Sequence, residues 1–217
     1  MPTQPYILKD GTRVPGTTTI IGRFKESGAL IDWAWKEGIA GRDYKKTRDA
    51  AANAGTLAHG LVEAWINGGE AAAIAYPLGQ DLDIAAKASQ AYQAFREWAD
   101  QTQLRVTHSE LPLISEKYRF GGTIDSMLVN GKLSLGDWKS SNAIYHDYLL
   151  QLAAYGILWE EHFPDQPITG GYHICRFSKT DADFEHRWFG ELEDAKEMFL
   201  HLRAAYDLDQ KLRKRVR

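Results

Sequence analysis

The sequence predicts an α/β protein in which a mixed central β-sheet is flanked by helices. Two observations support this fold class. Apolar residues recur at helical spacing through most of the chain up to about residue 103, whereas short β-branched and aromatic runs bounded by turn residues dominate from about residue 104. The predicted order is helices, three strands, a helix, two strands and a helix. This order is typical of a mixed sheet with helices on its faces.

The first part of the chain is predicted to be mainly helical. Two short helices follow the Thr cluster within residues 15–35, and an Ala-rich helix covers 43–67, where Gly68-Gly69 ends it. A longer helix at about 81–102 carries apolar residues near helical spacing.

The second part is predicted to contain the sheet. Residues 104–115 form a strand, and two further strands at 118–129 and 132–139 form a hairpin around Asn130-Gly131. The remaining predicted elements are an apolar helix at 147–161, strands at 170–177 and 184–190, and a final helix at about 191–212.

Length and composition indicate one domain with its own core. The chain has 217 residues, of which 44% are apolar, including seven Trp and ten Tyr. We therefore predict a single domain over residues 1–217, with a helical part at about 1–103 and a sheet-containing core at about 104–217. The single cysteine, Cys175, excludes an internal disulfide framework and a four-Cys zinc or iron–sulfur site.

Charge and hydropathy bear on the cellular compartment of the protein and on its binding partners. No run of about 18 apolar residues occurs, and the first residues lack a signal-peptide pattern, so we expect a cytoplasmic protein with no membrane partner. The net charge is −3, yet the last seven residues, KLRKRVR, carry five positive charges. Such a tail can contact phosphates, although a solvated tail is the commoner case.

The predicted hairpin carries a cluster of charges at one end. Asp137 and Lys139 are two residues apart on a strand, so their side chains leave the same face. A two-residue turn places Asp125 opposite Gly136, whereas a three-residue loop places it opposite Asp137; we favour the second, because it groups the aliphatic residues. Facing carboxylates repel unless a divalent cation lies between them. The alternative is a salt-bridged surface hairpin without a ligand.

These residues resemble a known family. Gly122-Thr-Ile-Asp125 followed by Asp137-x-Lys139 resembles the core motif of the PD-(D/E)XK nuclease superfamily. The helix segment GTLAHGLVE, with His59 and Glu63, and the pair Gln151 and Tyr155 resemble motifs of its RecB-like branch. The opening VPGTTTIIGRF is similar to the start of phage-type exonucleases. The similarity covers about residues 14–160, with Ile124 where the superfamily has Pro.

The resemblance implies a restriction-endonuclease-like core and a metal-dependent DNA exonuclease. Mg²⁺ or Mn²⁺ would be held by Asp125 and Asp137, with the backbone carbonyl of Trp138. Lys139 would orient the attacking water or stabilise the transition state. His59 and Glu110 are further candidate ligands, while Gln151 and Tyr155 would contact the catalytic centre or the DNA backbone. Each of these last four residues also has an ordinary structural explanation, as a packed or solvated side chain.

Two other functions are compatible with the same motifs. A structure-selective DNA endonuclease would use the same metal site, since polarity depends on the shape of the substrate channel. A nucleic-acid-binding subunit of a larger recombination or repair complex could keep the fold, although the presence of Asp125, Asp137 and Lys139 together weighs against an inactive enzyme. By analogy with the family, the products would carry 5′-phosphate and 3′-hydroxyl ends, and a phage role is an analogy alone.

Overall fold

The computed structural model describes residues 5–26, 28–45, 54–79 and 81–216, with only the backbone of residues 29 and 30. The helices within these ranges are α1 (Thr17–Phe24), α2 (Gly28–Ile39), α3 (Ala54–Ile74), α4 (Leu82–Gln101), α5 (His146–His162) and α6 (Glu193–Arg215). The strands are β1 (Tyr6–Ile7), β2 (Arg13–Val14), β3 (Arg105–Ser115), β4 (Phe120–Val129), β5 (Lys132–Ser140), β6 (Gly171–Phe177) and β7 (Phe184–Phe189).

The central sheet has five strands in the order β3-β4-β5-β6-β7. Strands β5 and β6 are parallel, and the other neighbours are antiparallel. The predicted mixed sheet with flanking helices and a helical first part is therefore confirmed. The small sheet of β1 and β2 was not predicted, because strands of two residues are too short to produce an alternating pattern.

Helices cover both faces of the sheet. On one face, Ile124, Leu135 and Ile174 are buried with residues of α5 such as Leu158. On the other face, Met127, Trp138 and Phe177 pack in a second apolar cluster with residues of α3 and α4, including Phe95. The central strands are thus buried on both sides.

The predicted elements after residue 80 begin and end within a few residues of the observed ones. The Ala-rich helix is described from Ala54, because residues 46–53 of the predicted span 43–67 lie outside the described part of the chain. Gly69, with φ 70°, interrupts α3 where the Gly68-Gly69 pair was predicted to end a helix. The basic tail continues α6 to Arg215. Among the described helices, none combines the length and apolar character needed to cross a bilayer.

The predicted register of the hairpin is wrong. Val129 pairs with Lys132, so the turn has two residues, and Asp125 lies opposite Gly136 instead of Asp137. Asn130 and Gly131 both have positive φ, 50° and 74°, as a type I′ turn requires. The aliphatic grouping gave no reliable choice of register, because apolar layers on both faces of the sheet accept either alternation.

Candidate active site

Asp137 and Lys139 lie near the carboxyl end of β5, on the face covered by α5. Asp137 is 8% exposed, and its Oδ2 lies 2.6 Å from Lys139 Nζ. Burial raises the pKa of the Asp137 carboxyl, while the ammonium of Lys139 acts in the opposite direction. The two residues therefore form a buried ion pair at the end of a central strand.

A chain of hydrogen bonds links Lys139 to helix α5. Lys139 Nζ donates to Gln151 Oε1 at 3.0 Å, and Gln151 Nε2 donates to the hydroxyl oxygen of Tyr155 at 2.6 Å. Gln151 and Tyr155 are four residues apart and so share a helix face. Burial, followed by the charge of Asp137, raises the pKa of Tyr155, which keeps its hydroxyl protonated. The structure thus brings together Asp137, Lys139, Gln151 and Tyr155, all of which the sequence predicted for the site.

Tyr148 is a further member of this group that the sequence analysis missed. Lys139 Nζ lies 5.1 Å from the centre of the Tyr148 ring, a cation–π contact. Tyr148 precedes Gln151 by three residues and Tyr155 by seven on α5, so helical spacing from the predicted pair was the available signal.

Asp125 lies on β4 and is held by an irregularity in the neighbouring strand. Its Oδ1 accepts a hydrogen bond from the backbone N–H of Glu110 at 2.8 Å. Glu110 has φ 52°, and the pairing of β3 with β4 is irregular between His108 and Leu111. Glu110 therefore contacts Asp125 through its backbone, while its side chain is exposed. The sequence predicted the Glu110 carboxylate as a metal ligand and did not indicate the contact of its backbone N–H with Asp125.

In this register the side chains of Asp125 and Asp137 leave opposite faces of the sheet, although the charge of Asp137 still acts on Asp125. Burial is the main cause that raises the pKa of Asp125 to about 6; the Glu110 N–H lowers it, and the Asp137 charge raises it. Burial disfavours the charged form of both acids, and the two acids lie within electrostatic range of each other. Such perturbed acids are frequent at functional sites.

His59 approaches this region from α3. Its ring stacks against Phe177 at 6.5 Å, and its Nε2 lies 3.4 Å from Glu63 Oε1. Burial lowers the pKa of His59, whereas the charges of Glu63, Asp137 and Glu110 raise it. The charge of Asp137 therefore acts on His59, although the direct contacts of His59 are with Phe177 and Glu63.

Gly55 explains how α3 comes so close to the strands. A Cβ on Gly55 would lie 2.6 Å from the carbonyl oxygen of Ser178 and 2.8 Å from Ser140 Oγ. Only glycine leaves room for this approach. The first turn of α3 consequently lies against the end of β5, one residue beyond Lys139.

Two carboxylates here have the donor chemistry that a divalent cation prefers, although within the described residues they are not part of a preassembled ligand cluster. Asp125 and Asp137 supply the carboxylate oxygens that Mg²⁺ prefers, and buried Asp137 Oδ2 accepts no hydrogen bond of normal geometry, its contact being the ion pair with Lys139. Over the described ranges, no three acidic, His or Cys side chains converge as a ready metal-binding cluster. The Trp138 side chain belongs to the opposite layer, where its ring is 5.4 Å from that of Phe95.

Comparisons with known proteins found matches among solved structures alone. No family model and no curated protein matches the chain. Solved structures that match include a crystal structure described as a "putative exonuclease" from Eubacterium rectale, with 11% sequence identity and a TM-score of 0.49. The match covers 74% of this chain and 66% of that one. This chain therefore spans slightly less than two thirds of the length of the matched protein. A likeness at this level assigns no function.

Proposed function

We propose that this chain is a nuclease that hydrolyses phosphodiester bonds in DNA with an activated water and a divalent metal ion. The observation that carries the proposal is the buried Asp137 in contact with Lys139, within electrostatic range of a second, half-buried acid, Asp125. The alternative of a salt-bridged surface hairpin is disfavoured, because Asp137 is buried instead of solvated.

The arrangement is costly unless it serves a ligand. Taking an ionised carboxylate out of water disfavours its charged form, and the raised pKa values of Asp125 and Asp137 record this cost. A single ammonium group, Lys139, pairs with Asp137. A divalent cation that binds carboxylate oxygens would add positive charge and so offset this cost.

Asp125 and Asp137 would hold Mg²⁺ or Mn²⁺. Such an ion, when bound, lowers the pKa of a coordinated water and neutralises charge on the phosphate. His59, the Glu110 carboxylate and the Trp138 carbonyl are proposed as further ligands, which requires His59 to leave its contact with Glu63 and the exposed Glu110 side chain to turn towards the site.

Lys139 would provide the positive charge that the transition state needs. Its ammonium is held between Asp137 Oδ2 and Gln151 Oε1, so it is oriented before substrate binds. Gln151 accepts the hydrogen bond from Lys139, and Tyr155 accepts one from Gln151. Both residues therefore act through Lys139. They are positioning residues in this proposal.

The choice of DNA and of exonuclease action follows from the resemblance to RecB-like and phage-type exonucleases. Partners in recombination or repair would follow from the same resemblance. The corresponding test is a gel assay on end-labelled single- and double-stranded DNA with Mg²⁺, Mn²⁺ or EDTA. We expect degradation with either metal and none in EDTA; equal degradation in EDTA, or no degradation under any condition, would refute the proposal.

A further inference from the structure

An exposed aromatic ring lies beside the candidate active site. Residues 141–145 join the end of β5 to the start of α5, and Tyr145 is the last residue before this helix. Tyr145 is 45% exposed, although it follows Lys139 by only six residues in the chain. The hydrolysis proposed above gives this ring no role.

One aromatic ring separates Tyr145 from Lys139. The rings of Tyr145 and Tyr148 meet edge to face, with their centres 5.6 Å apart and their planes at 81° to each other. The centre of the Tyr148 ring lies 5.1 Å from Lys139 Nζ. A ligand that rests on Tyr145 is therefore close to the ammonium group that the proposed reaction uses.

The segment that carries Tyr145 is held by the sheet at one end and by the helix at the other. The backbone N–H of Ser141 donates to the carbonyl oxygen of Phe177 at 3.1 Å, and buried Arg176 donates to the carbonyl oxygen of Ser141 at 3.2 Å. The carbonyl oxygen of Tyr145 accepts from the N–H of Tyr148 at 3.1 Å. The ring is thus positioned before a ligand binds, which reduces the entropy lost on binding.

A lysine adds positive charge next to the Tyr145 ring. Lys25 Nζ lies 5.7 Å from the centre of this ring and 2.7 Å from Asp147 Oδ2. The side chain of Lys25 is 54% exposed, so its ammonium group remains accessible to solvent. Exposed aromatic rings combined with exposed cations are the groups by which proteins bind single-stranded nucleic acid, through base stacking and phosphate contacts.

The geometry favours an unpaired strand over a duplex. Within a duplex, the faces of each internal base are covered by the neighbouring bases of the stack. In a single strand, a base can leave its neighbours and stack on an aromatic side chain instead. A ring such as Tyr145 therefore discriminates between the two forms of DNA.

We propose that Tyr145 stacks against an unpaired base of single-stranded DNA and so holds the strand at the candidate active site, with Lys25 near its phosphates. The inference rests on the proposed nuclease function and deepens it, because it names the unpaired strand as the preferred substrate. Tyr145 binds the substrate in this proposal and takes no part in the chemical step.

The first test measures binding of a short fluorescent single strand in EDTA by anisotropy. We expect Tyr145→Leu to weaken binding by about 5- to 150-fold, as expected for the loss of one stacked base, and Tyr145→Phe to stay within about twofold of the wild type. Trp188→Ala removes an exposed aromatic ring from β7 and should leave the affinity unchanged.

Three results would overturn the stacking site. They are absence of single-strand binding by the wild type, equal affinity of the wild type and Tyr145→Leu, and a loss in Tyr145→Phe or Trp188→Ala as large as that in Tyr145→Leu. Melting temperatures of all variants are measured alongside, and Tyr145→Leu should melt close to the wild type because its ring is largely exposed.

A change in the DNA separates stacking from a general effect on the fold. A series of single strands, each lacking one base but keeping its backbone, is titrated against the wild type and Tyr145→Leu. We expect one missing base to weaken binding to the wild type and to have no further effect on Tyr145→Leu, since its stacking partner is already gone. Equal losses in both proteins at every position contradict the assignment.

The substrate class is tested with a blunt duplex of the same sequence. The wild type should bind the single strand more tightly than the duplex, and Tyr145→Leu should reduce this difference; equal affinity for both forms overturns the preference. All these measurements are made in EDTA and do not depend on hydrolysis. Stacking without DNA degradation in Mg²⁺ would refute the nuclease alone, whereas degradation with no effect of Tyr145→Leu on binding would refute the stacking site alone.

Discussion

Lys139 Nζ donates a hydrogen bond of 3.0 Å to Gln151 Oε1, which joins the end of strand β5 to helix α5. Because the same ammonium is 2.6 Å from Asp137 Oδ2, Lys139 is fixed from two sides. Its side chain is only 19% exposed, so little water competes for these contacts. A lysine held in this way is suited to a defined position in a catalytic site.

Replacing Gln151 with Leu should lower kcat of DNA hydrolysis by about 10–100-fold with a small change in KM, since Lys139 loses an orienting acceptor. Tyr155→Phe should have a smaller effect, because it removes a contact one step further from Lys139. The measurement is steady-state kinetics on end-labelled DNA, with Gln90→Leu, an exposed position on α4, as the control. A Gln151→Leu enzyme with normal kcat would remove Gln151 from the mechanism.

The hairpin turn should be sensitive to a side chain at Gly131. Gly131 has φ 74°, so Gly131→Ala should lower the free energy of unfolding by about 1–2 kcal/mol. Gly22→Ala, within helix α1 and with no atom within 4 Å of the new Cβ, should instead raise it by about 0.5–1 kcal/mol. Urea unfolding measures both. Equal effects of the two changes would argue against the two-residue turn.

Acid should weaken the fold through a buried histidine pair. His173 Nδ1 and His186 Nε2 are 2.8 Å apart, and burial, together with His186, lowers the pKa of His173 to about 4. The unfolded chain binds the proton at the ordinary pKa of about 6.5. The stability linked to His173 is therefore complete above pH 6.5 and is lost as the pH falls towards 4.

This loss should be on the order of 1–3 kcal/mol. It is measured by urea unfolding between pH 7 and pH 4.5, where a His173→Leu variant should show a weaker pH dependence than the wild type. His201→Gln changes an exposed histidine and serves as the control. If wild type and His173→Leu lose the same stability over this range, His173 is not the responsible group.

An exonuclease needs a free end, so linear DNA should be degraded and covalently closed circular DNA should persist. The comparison uses the same sequence in both forms, incubated with Mg²⁺. Cutting of the closed circle would favour the structure-selective endonuclease instead. Binding of both forms without cutting would favour the nucleic-acid-binding subunit.

The fold was largely predictable because its helices and longer strands carry strong apolar patterns. Asn130-Gly131 was recognised as a turn, yet the register was misjudged, since both faces of β4 are buried and either alternation satisfies them. The grouping of Lys139 with Gln151 and Tyr155 agrees with the prediction. The Glu110 N–H on Asp125 depends on a backbone irregularity with positive φ in β3, for which the side-chain sequence has no signature. Tyr148 was overlooked although its helical spacing was visible.

If Asp137 serves hydrolysis at a cost to stability, Asp137→Asn should separate the two effects. Asparagine has nearly the same shape and no charge, so we expect a melting temperature equal to or above that of the wild type and a loss of DNA hydrolysis of at least about 10³-fold. Asp165→Asn, in an exposed loop, should change neither quantity. A folded Asp137→Asn protein that degrades DNA at the wild-type rate with Mg²⁺ would show that Asp137 has no role in hydrolysis.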